Sequence, residues 1–291
     1  MRQAPGTVSR ILWHFTGGPK WNTSKDCQEK RPKLAEDAYH ALLSIIRSKQ
    51  LSLGGYREVV KVHLPKLRRY NKKAGKMEHL RNITITMKSS PVCCLSDIPI
   101  AHLSYHAERY GKFAIGFHRE AAIRHGFNPV FYTLYNTDLV RSVRNVLVQL
   151  RKIQPDRVEA VADDIRLAIS DLEDLECDHD RSVEHDLDRS ADDLEEEAQD
   201  IEDGVDAAQT SFREFFAFIK TFDKAEFSSV YCEREWRSTR QFPFEMNDLA
   251  MIVLPRRGKG KSYFDDFVKR RRTLTLPRSI PVVPWEDLIE H

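Results

Sequence analysis

Three short stretches of the sequence carry polar side chains of the types that enzymes use. In WHFT, alternation along a strand puts His14 and Thr16 on one face. This pair could hydrogen-bond ribose hydroxyls, and a half-buried histidine bonded to the backbone is an equal alternative. In the second stretch Tyr105 lies between Ser104 and His106 in a predicted short helix. Tyr105 could stack on a heterocycle, although helix packing is the commoner use of tyrosine at such a position.

The third stretch is YCEREWR, in which Glu233, Glu235 and Arg237 share one face of a predicted strand. A carboxylate at the end of a strand, beside a cation, is ionised and can stabilise a positive charge that develops in a reaction. A solvated ladder of ion pairs is the more frequent use of such alternation. The sequence has no P-loop, GxGxxG, GxSxG or HExxH motif, so a catalytic site would have to be built from scattered residues such as these.

The cysteines do not suggest a disulfide framework, because their number is odd and no CxxC spacing occurs. A zinc site built from Cys93 and Cys94 with His102 or His106 is an alternative. Neighbouring residues of a strand face opposite sides, however, which suits chelation badly. We therefore predict reduced, mostly buried thiols and no metal. The five cysteines are Cys27, Cys93, Cys94, Cys177 and Cys232.

The elements that would position these residues alternate between strand and helix patterns. They predict an α+β core with a mixed or antiparallel sheet, in which residues 1–135 and 221–291 form two halves separated by an insertion at 136–220. The predicted strands are 11–16, 82–87, 92–95, 113–117, 228–240, 249–254 and 281–284. The predicted helices of the core are 35–50, 101–109 and 265–271. The basic part of residues 57–90 is predicted to be an exposed loop or hairpin.

The insertion has three apolar stripes at heptad-like spacing, with charged residues elsewhere. This pattern predicts a two- or three-helix antiparallel hairpin or a coiled coil. Disorder of part of residues 176–200 is the alternative. The first stripe contains Leu139, Val143, Val146, Leu147 and Leu150, the second Val158, Val161, Ile165, Ile169 and Leu172, and the third Leu187, Leu194, Ile201 and Val205.

The net charge of +2 conceals a strong asymmetry along the 291 residues. Residues 1–90 hold 19 basic and 6 acidic side chains, whereas residues 156–206 hold 4 basic and 22 acidic ones. This asymmetry predicts a protein partner for the acidic insertion. Nucleic acid bound by the basic regions 57–90 and 256–272 is a further expectation. No apolar run is long enough to span a membrane and the N-terminal apolar stretch is too short for a signal peptide, so we expect a cytoplasmic protein.

The order of these motifs resembles a known bacterial family. WHFT, then VCCLSDIP and SYHAERYGKFAIGF, then YCEREWR, is similar to the AbiGi-type abortive-infection proteins and to a related uncharacterised family with the pattern HYT, CFS, WSHYA, GFCIGF and EKEWR. The similarity extends over most of residues 11–130 and 226–290. It implies a role in phage defence, and AbiGi itself is regarded as an antitoxin-like partner.

The same residues also resemble the H-Y-E triad of the ADP-ribosyltransferase fold. That resemblance implies NAD as the substrate, with His14 on the adenine-side ribose, Tyr105 stacked on nicotinamide and Glu235 steadying the oxocarbenium ion. Glu233 competes with Glu235 for the acidic role, and Tyr110 competes with Tyr105. The catalytic residues implied are Glu235, Tyr105 and Glu233, and the cofactor-binding residues implied are His14, Thr16, Ser96 and Arg237. A non-enzymatic antitoxin or sensor is the alternative function.

Overall fold

The computed structural model describes most of the chain, and its α and β elements confirm the predicted α+β class with a mixed sheet. Two compact units are present. One contains residues 1–61, 84–135 and 214–291, and the other contains 62–83 and 136–213. The described residues are 9–22, 24–25, 27–29, 31–71, 73, 75–150, 163, 166–167, 170, 181–226, 233–258 and 260–288.

The first unit is built on a seven-stranded sheet. Its strands pair antiparallel except β14 and β15, which are parallel. Across the sheet they are β15 (Val282–Pro284), β14 (Leu249–Leu254), β8 (Ala114–His118), β1 (Ile11–Phe15), β7 (Cys93–Ser96), β12 (Glu235–Ser238) and β9 (Asn128–Pro129). Of the predicted strand 228–240, Glu235–Ser238 is a strand, residues 233–234 and 239–240 are not, and residues 228–232 lie outside the described part.

The remaining strands form two-stranded sheets. The predicted basic hairpin is a long ribbon of β5 (Arg57–Asn71) and β6 (Lys76–Pro91), and β6 includes the predicted strand 82–87. β10 (Phe131–Leu134) runs parallel to β11 (Ile219–Phe222). The short pairs are β2 (Trp21–Asn22) with β3 (Cys27–Gln28), and β4 (Gln50–Leu51) with β13 (Phe242–Pro243).

Helices cover the sheet of the first unit. α1 (Ala35–Ser48) buries Leu42 and Ile46 in the main core, together with Leu12, Ile115 and other sheet residues. A second cluster forms around Trp13 and Trp285, with Leu103 at the start of α2 (Leu103–Tyr110). Burial of these apolar side chains is the main source of stability for such a layered core. The other core helices are α3 (Arg119–Arg124) and a C-terminal helix, Tyr263–Arg270.

The insertion contains α4 (Asp138–Leu150) and α5 (Arg181–Ala217), a helix of 37 residues that we call the acidic helix. On α4, Leu147 of the predicted first stripe is buried, but Leu139 and Val146 are exposed and the buried Val140 is not part of the stripe. The predicted stripe therefore coincides only in part with the buried face. The second stripe lies outside the described residues. Leu194, Ile201 and Val205 of the third stripe are half-buried, as one face of the acidic helix. Within the described residues, no helix has the length and apolar character needed to cross a membrane.

Candidate functional site

A cleft of about 550 Å³ opens in the first unit where β1 and β7 part. The two strands pair at Trp13 and Ser96, and beyond this pair the His14 ring spans the gap, with Nδ1 donating to the Cys94 carbonyl at 3.1 Å. His14 therefore lines the cleft with a fixed ring orientation, and burial lowers its pKa. The imidazole is neutral at pH 7, so its Nε2 can accept a hydrogen bond.

Glu235, the first residue of β12, lines the same cleft although it is 221 positions further along the chain. Its Oε2 accepts hydrogen bonds from Lys220 Nζ at 3.1 Å and from Arg237 Nη2. Neither contact uses Oε1, which has no partner among the described residues. The backbone N–H of Glu235 donates to the Tyr132 hydroxyl at 2.8 Å, which fixes the start of the strand.

Arg237 is fully buried and holds Glu235 from the inside. Its guanidinium also pairs with Glu58 and donates to the Ala217 carbonyl at 2.8 Å. Glu58 in turn accepts from the Tyr56 hydroxyl at 3.0 Å. A buried charge is tolerated only when it is paired and hydrogen-bonded, which this arrangement achieves for both carboxylates.

Glu233 joins the cluster from the turn before β12. Lys220 Nζ bridges Glu233 and Glu235, and Arg109 pairs with Glu233 from α2. Glu233, Glu235 and Arg237 thus lie close together in the structure. They form a buried network and not a solvated ladder of ion pairs. Burial alone would raise the pKa of Glu235, but Arg237 and Lys220 outweigh it and lower the pKa to about 2. Glu235 is therefore ionised at neutral pH.

Of the two tyrosine candidates, Tyr110 lines the cleft with His14 and Glu235. Tyr105 is 54% exposed and does not line this cleft, but lines a smaller cavity of about 290 Å³ together with Glu233. His106 is buried between the two tyrosines, where burial lowers its pKa to about 4. The structure thus brings Tyr110, not Tyr105, together with the other two members of the predicted triad.

The two remaining predicted residues do not line the cleft. Thr16 is buried, and its hydroxyl donates to the Ala38 carbonyl at 2.8 Å. Ser96 is half-buried and lies in register between Trp13 and Glu235 in the sheet. Both residues therefore support the strands that carry His14 and Glu235, and a direct contact of either with a ligand stays a prediction.

The cysteines at the site are thiols. Cys93 and Cys94 line the cleft wall and are free. Burial raises the pKa of Cys93 to about 12 and also raises that of Cys94, so both are protonated at neutral pH. Within the described residues, no group of three or more His, Cys, Asp or Glu side chains has a metal-binding arrangement. Cys177 and Cys232 lie outside the described residues.

Sequence reasoning missed Lys220, which contacts both glutamates. Its signal was a single lysine inside the apolar run FFAFIKTF at 215–222, where an isolated cation predicts a buried partner. The predicted insertion ends at residue 220, whereas the first unit resumes at 214 and β11 belongs to it. Glu58 and Tyr56 are missed as well, because they lie at the base of a ribbon whose prediction rests on its basic charge alone.

Residues 57–274 match the model of a protein family described as "Putative abortive phage resistance protein AbiGi, antitoxin". This match spans most of the chain, and it contains Lys220, Glu233, Glu235 and Arg237. The chain belongs to the AbiGi family. The resemblance to AbiGi-type proteins is thereby confirmed. The matched range begins after His14, so the first strand of the cleft lies outside it.

An AbiGi protein from Lactococcus lactis subsp. cremoris, an abortive phage resistance protein, is 39% identical to this chain over 62 residues. That stretch covers 20% of this chain and 25% of the Lactococcus protein, so the two match over a quarter of the relative's length. No solved structure matches the chain. None of these comparisons supports the resemblance to ADP-ribosyltransferases.

Proposed function

We propose that this AbiGi-family protein acts in abortive infection by phage, and that its cleft binds NAD and breaks the bond between nicotinamide and ribose. The single observation that supports the chemistry is the convergence of His14, Tyr110 and Glu235 on one cleft from three separate elements. These are the residue types, in the chain order, of the triad that the sequence suggested. The cleft volume of about 550 Å³ lies in the usual range for small-molecule sites.

In the proposed reaction, Glu235 supplies the negative charge. Its Oε2 is held by Lys220 and Arg237, while Oε1 is left to accept a hydrogen bond from a ribose hydroxyl. When the glycosidic bond breaks, its electron pair leaves with nicotinamide and positive charge develops on the ribose. A fixed carboxylate stabilises that charge, as in glycoside cleavage. Water or a nucleophile of a target then forms a bond to the ribosyl carbon and releases a proton to solvent, giving NAD hydrolysis or ADP-ribosyl transfer.

The aromatic role falls to Tyr110 in this proposal. Its ring lines the cleft and lies 6.1 Å from the Phe15 ring, so a flat nicotinamide ring would meet an aromatic wall. His14 would accept a hydrogen bond from the other ribose. The sequence-based assignment of Tyr105 to this role is replaced here, because Tyr105 lines a different cavity.

The test is release of nicotinamide from NAD by the purified protein, alone and with host or phage extract as a source of targets. Glu235→Gln should lower the rate by about a hundredfold or more. Glu196→Gln, on the acidic helix, is the matched control and should retain the wild-type rate. Tyr110→Phe and Tyr110→Ala, compared with Tyr105→Ala, separate the two tyrosines. Absence of nicotinamide release with every source of targets would overturn the enzymatic proposal.

A second candidate is an antitoxin that binds a toxin through the acidic helix. It is supported by the word antitoxin in the family description and by the exposed carboxylates of this helix, among them Asp193, Glu196, Glu197 and Asp200. Co-expression with the product of the neighbouring gene tests it. If that product is toxic, the full chain should restore growth, and a variant lacking residues 150–206 should not, although its core stays folded. Rescue by the deleted variant would exclude the helix as the binding surface.

A further inference from the structure

The cations that line the cleft differ in whether a carboxylate neutralises them. Lys220 pairs with Glu233 and Glu235, and Lys20 pairs with Asp37 at 2.9 Å. Lys33 has no such partner among the described residues. Its ammonium donates to the Thr16 carbonyl at 3.1 Å, and this neutral oxygen leaves its positive charge uncompensated.

The environment of Lys33 makes that charge costly. Burial lowers its pKa, and the nearby charge of Lys20 lowers it further, while Asp37 acts in the opposite direction. A lysine ammonium has three N–H donors, of which the Thr16 carbonyl takes one. An anion placed at Lys33 would satisfy further donors and compensate the charge at the same time.

A second cavity adds to this positive charge. It measures about 240 Å³, and Lys33 lines both it and the cleft. Lys112 and Arg257 line the small cavity as well, against the single carboxylate of Glu286. Lys33, which the two cavities share, therefore has further positive charge on the side of the small cavity, which suits a group that carries more than one negative charge.

The cleft also has an aromatic wall. Trp21 and Tyr56 line it, and their rings meet edge to face at 5.8 Å. Gly55 lies directly against the Trp21 indole, since a Cβ at this position would come within 2.5 Å of the ring. The indole is thus packed on backbone and presents a fixed surface to a flat heterocycle.

We propose that Lys33 binds the diphosphate of the nucleotide that occupies the cleft, so that the ligand is a nucleoside diphosphate derivative and not a nucleoside. This inference rests on the proposed function for the occupant of the cleft, but it concerns binding and not cleavage. Trp21 supplies the surface for the base, and Lys112 and Arg257 add to the positive potential around the phosphates.

Isothermal titration of the full chain with ADP-ribose, adenosine and inorganic pyrophosphate tests the assignment. Wild-type protein should bind ADP-ribose about tenfold more tightly than adenosine, the effect expected of one charge-assisted hydrogen bond. Lys33→Met should remove this preference and leave adenosine binding unchanged. Lys224→Met, at an exposed lysine that lines neither cavity, is the matched control and should keep the preference.

The outcomes separate this inference from the proposed function. Lys33-dependent binding of ADP-ribose without cleavage of NAD would sustain the diphosphate site and overturn the enzymatic proposal. Cleavage of NAD with an unchanged ADP-ribose preference in Lys33→Met would sustain the enzymatic proposal and overturn the diphosphate site.

Equal affinity of wild-type protein for ADP-ribose and adenosine, or no binding of either, would overturn the diphosphate site. Pyrophosphate binding as tight as that of ADP-ribose would identify a free-phosphate site and overturn the nucleotide assignment. Thermal denaturation of both variants verifies that they are folded.

Discussion

Two regions of the molecule are rich in carboxylates. One is the acidic helix, and the other is the buried ionic cluster formed by Glu58, Glu233, Glu235, Lys220 and Arg237. Their surroundings give the carboxylates opposite properties. In the cluster, Glu58 and Glu235 are buried and each is held by Arg237. On the acidic helix, Glu196 and Glu197 are exposed to solvent. A carboxylate in the cluster has a fixed direction, whereas one on the helix contributes mainly to a diffuse negative potential. The two regions therefore suit different tasks, chemistry at a defined atom in one and long-range attraction of a partner in the other.

The largest expected effect comes from removing the cation that holds the cluster. Arg237→Met leaves two buried carboxylates without their shared partner, and we expect it to lower the free energy of unfolding by about 3–5 kcal/mol. Urea denaturation at pH 7 measures this change. Arg189→Met, on the exposed surface of the acidic helix, should change the same quantity by less than about 0.5 kcal/mol. Similar losses in both variants would erase the contrast between the regions.

The next effect is a dependence of stability on pH. The pKa of Glu235 is lowered to about 2 in the folded protein, so its stabilising contribution is present above its unfolded pKa and is lost as the pH falls toward 2. One pKa unit corresponds to about 1.4 kcal/mol, so the contribution is about 3 kcal/mol. Denaturant titrations from pH 7 to pH 3 should show a steeper loss for wild type than for Glu235→Gln. Parallel curves for the two proteins would mean that Glu235 is not stabilised as an anion.

A smaller effect is expected at the start of β12. Tyr132→Phe removes the hydroxyl that accepts the Glu235 N–H and leaves a buried donor without that partner. We expect a loss of about 1.5 kcal/mol in unfolding free energy. Tyr105→Phe, at an exposed ring, should be close to neutral. Amide exchange of Glu235 itself gives a local readout, because its N–H should exchange faster in Tyr132→Phe than in wild type.

The smallest effect should have the opposite sign. Glu196 lies four residues from both Asp192 and Asp200 on the acidic helix, and like charges at this spacing repel. Glu196→Gln should therefore stabilise the helix slightly, by about 0.2–0.5 kcal/mol at low salt. Thermal melting followed by circular dichroism, at low and high salt, measures the gain, which should shrink as salt screens the charges. Destabilisation by Glu196→Gln would instead reveal a specific contact of this carboxylate.

The sequence was sufficient to predict most core elements and the shared face of Glu235 and Arg237, because both follow from local periodicity. It was not sufficient to choose between Tyr105 and Tyr110. The two residues are five positions apart, which places them about 140° apart around the helix axis. Which of them faces the cleft depends on the rotation of α2 about its axis, and that is set by the packing of Leu103 and His106.

The part played by Lys220 and Glu58 could not be predicted for a different reason. Both reach Glu235 or Arg237 through pairings between segments that are distant in sequence. The ion pair of Arg237 with Glu58 joins residues 179 positions apart. Charge balance could indicate that buried Glu235 needs a cation, but only the tertiary structure could identify which one.

The parallel pairing of β10 and β11 has a consequence for how this protein could be shortened or recombined. Antiparallel neighbours can be rejoined by a tight turn, but parallel ones require a crossover. Phe131 is opposite Ile219 and Leu134 is opposite Phe222, so a chain leaving β10 must travel back about 10 Å before it enters β11. Residues 135–218 are therefore a structural crossover, which can be shortened but not removed altogether. Circular permutation with new termini within this segment would keep both strands in place. Removal of the whole segment would require a new linker, because the chain must still lead back to β11, which carries Lys220.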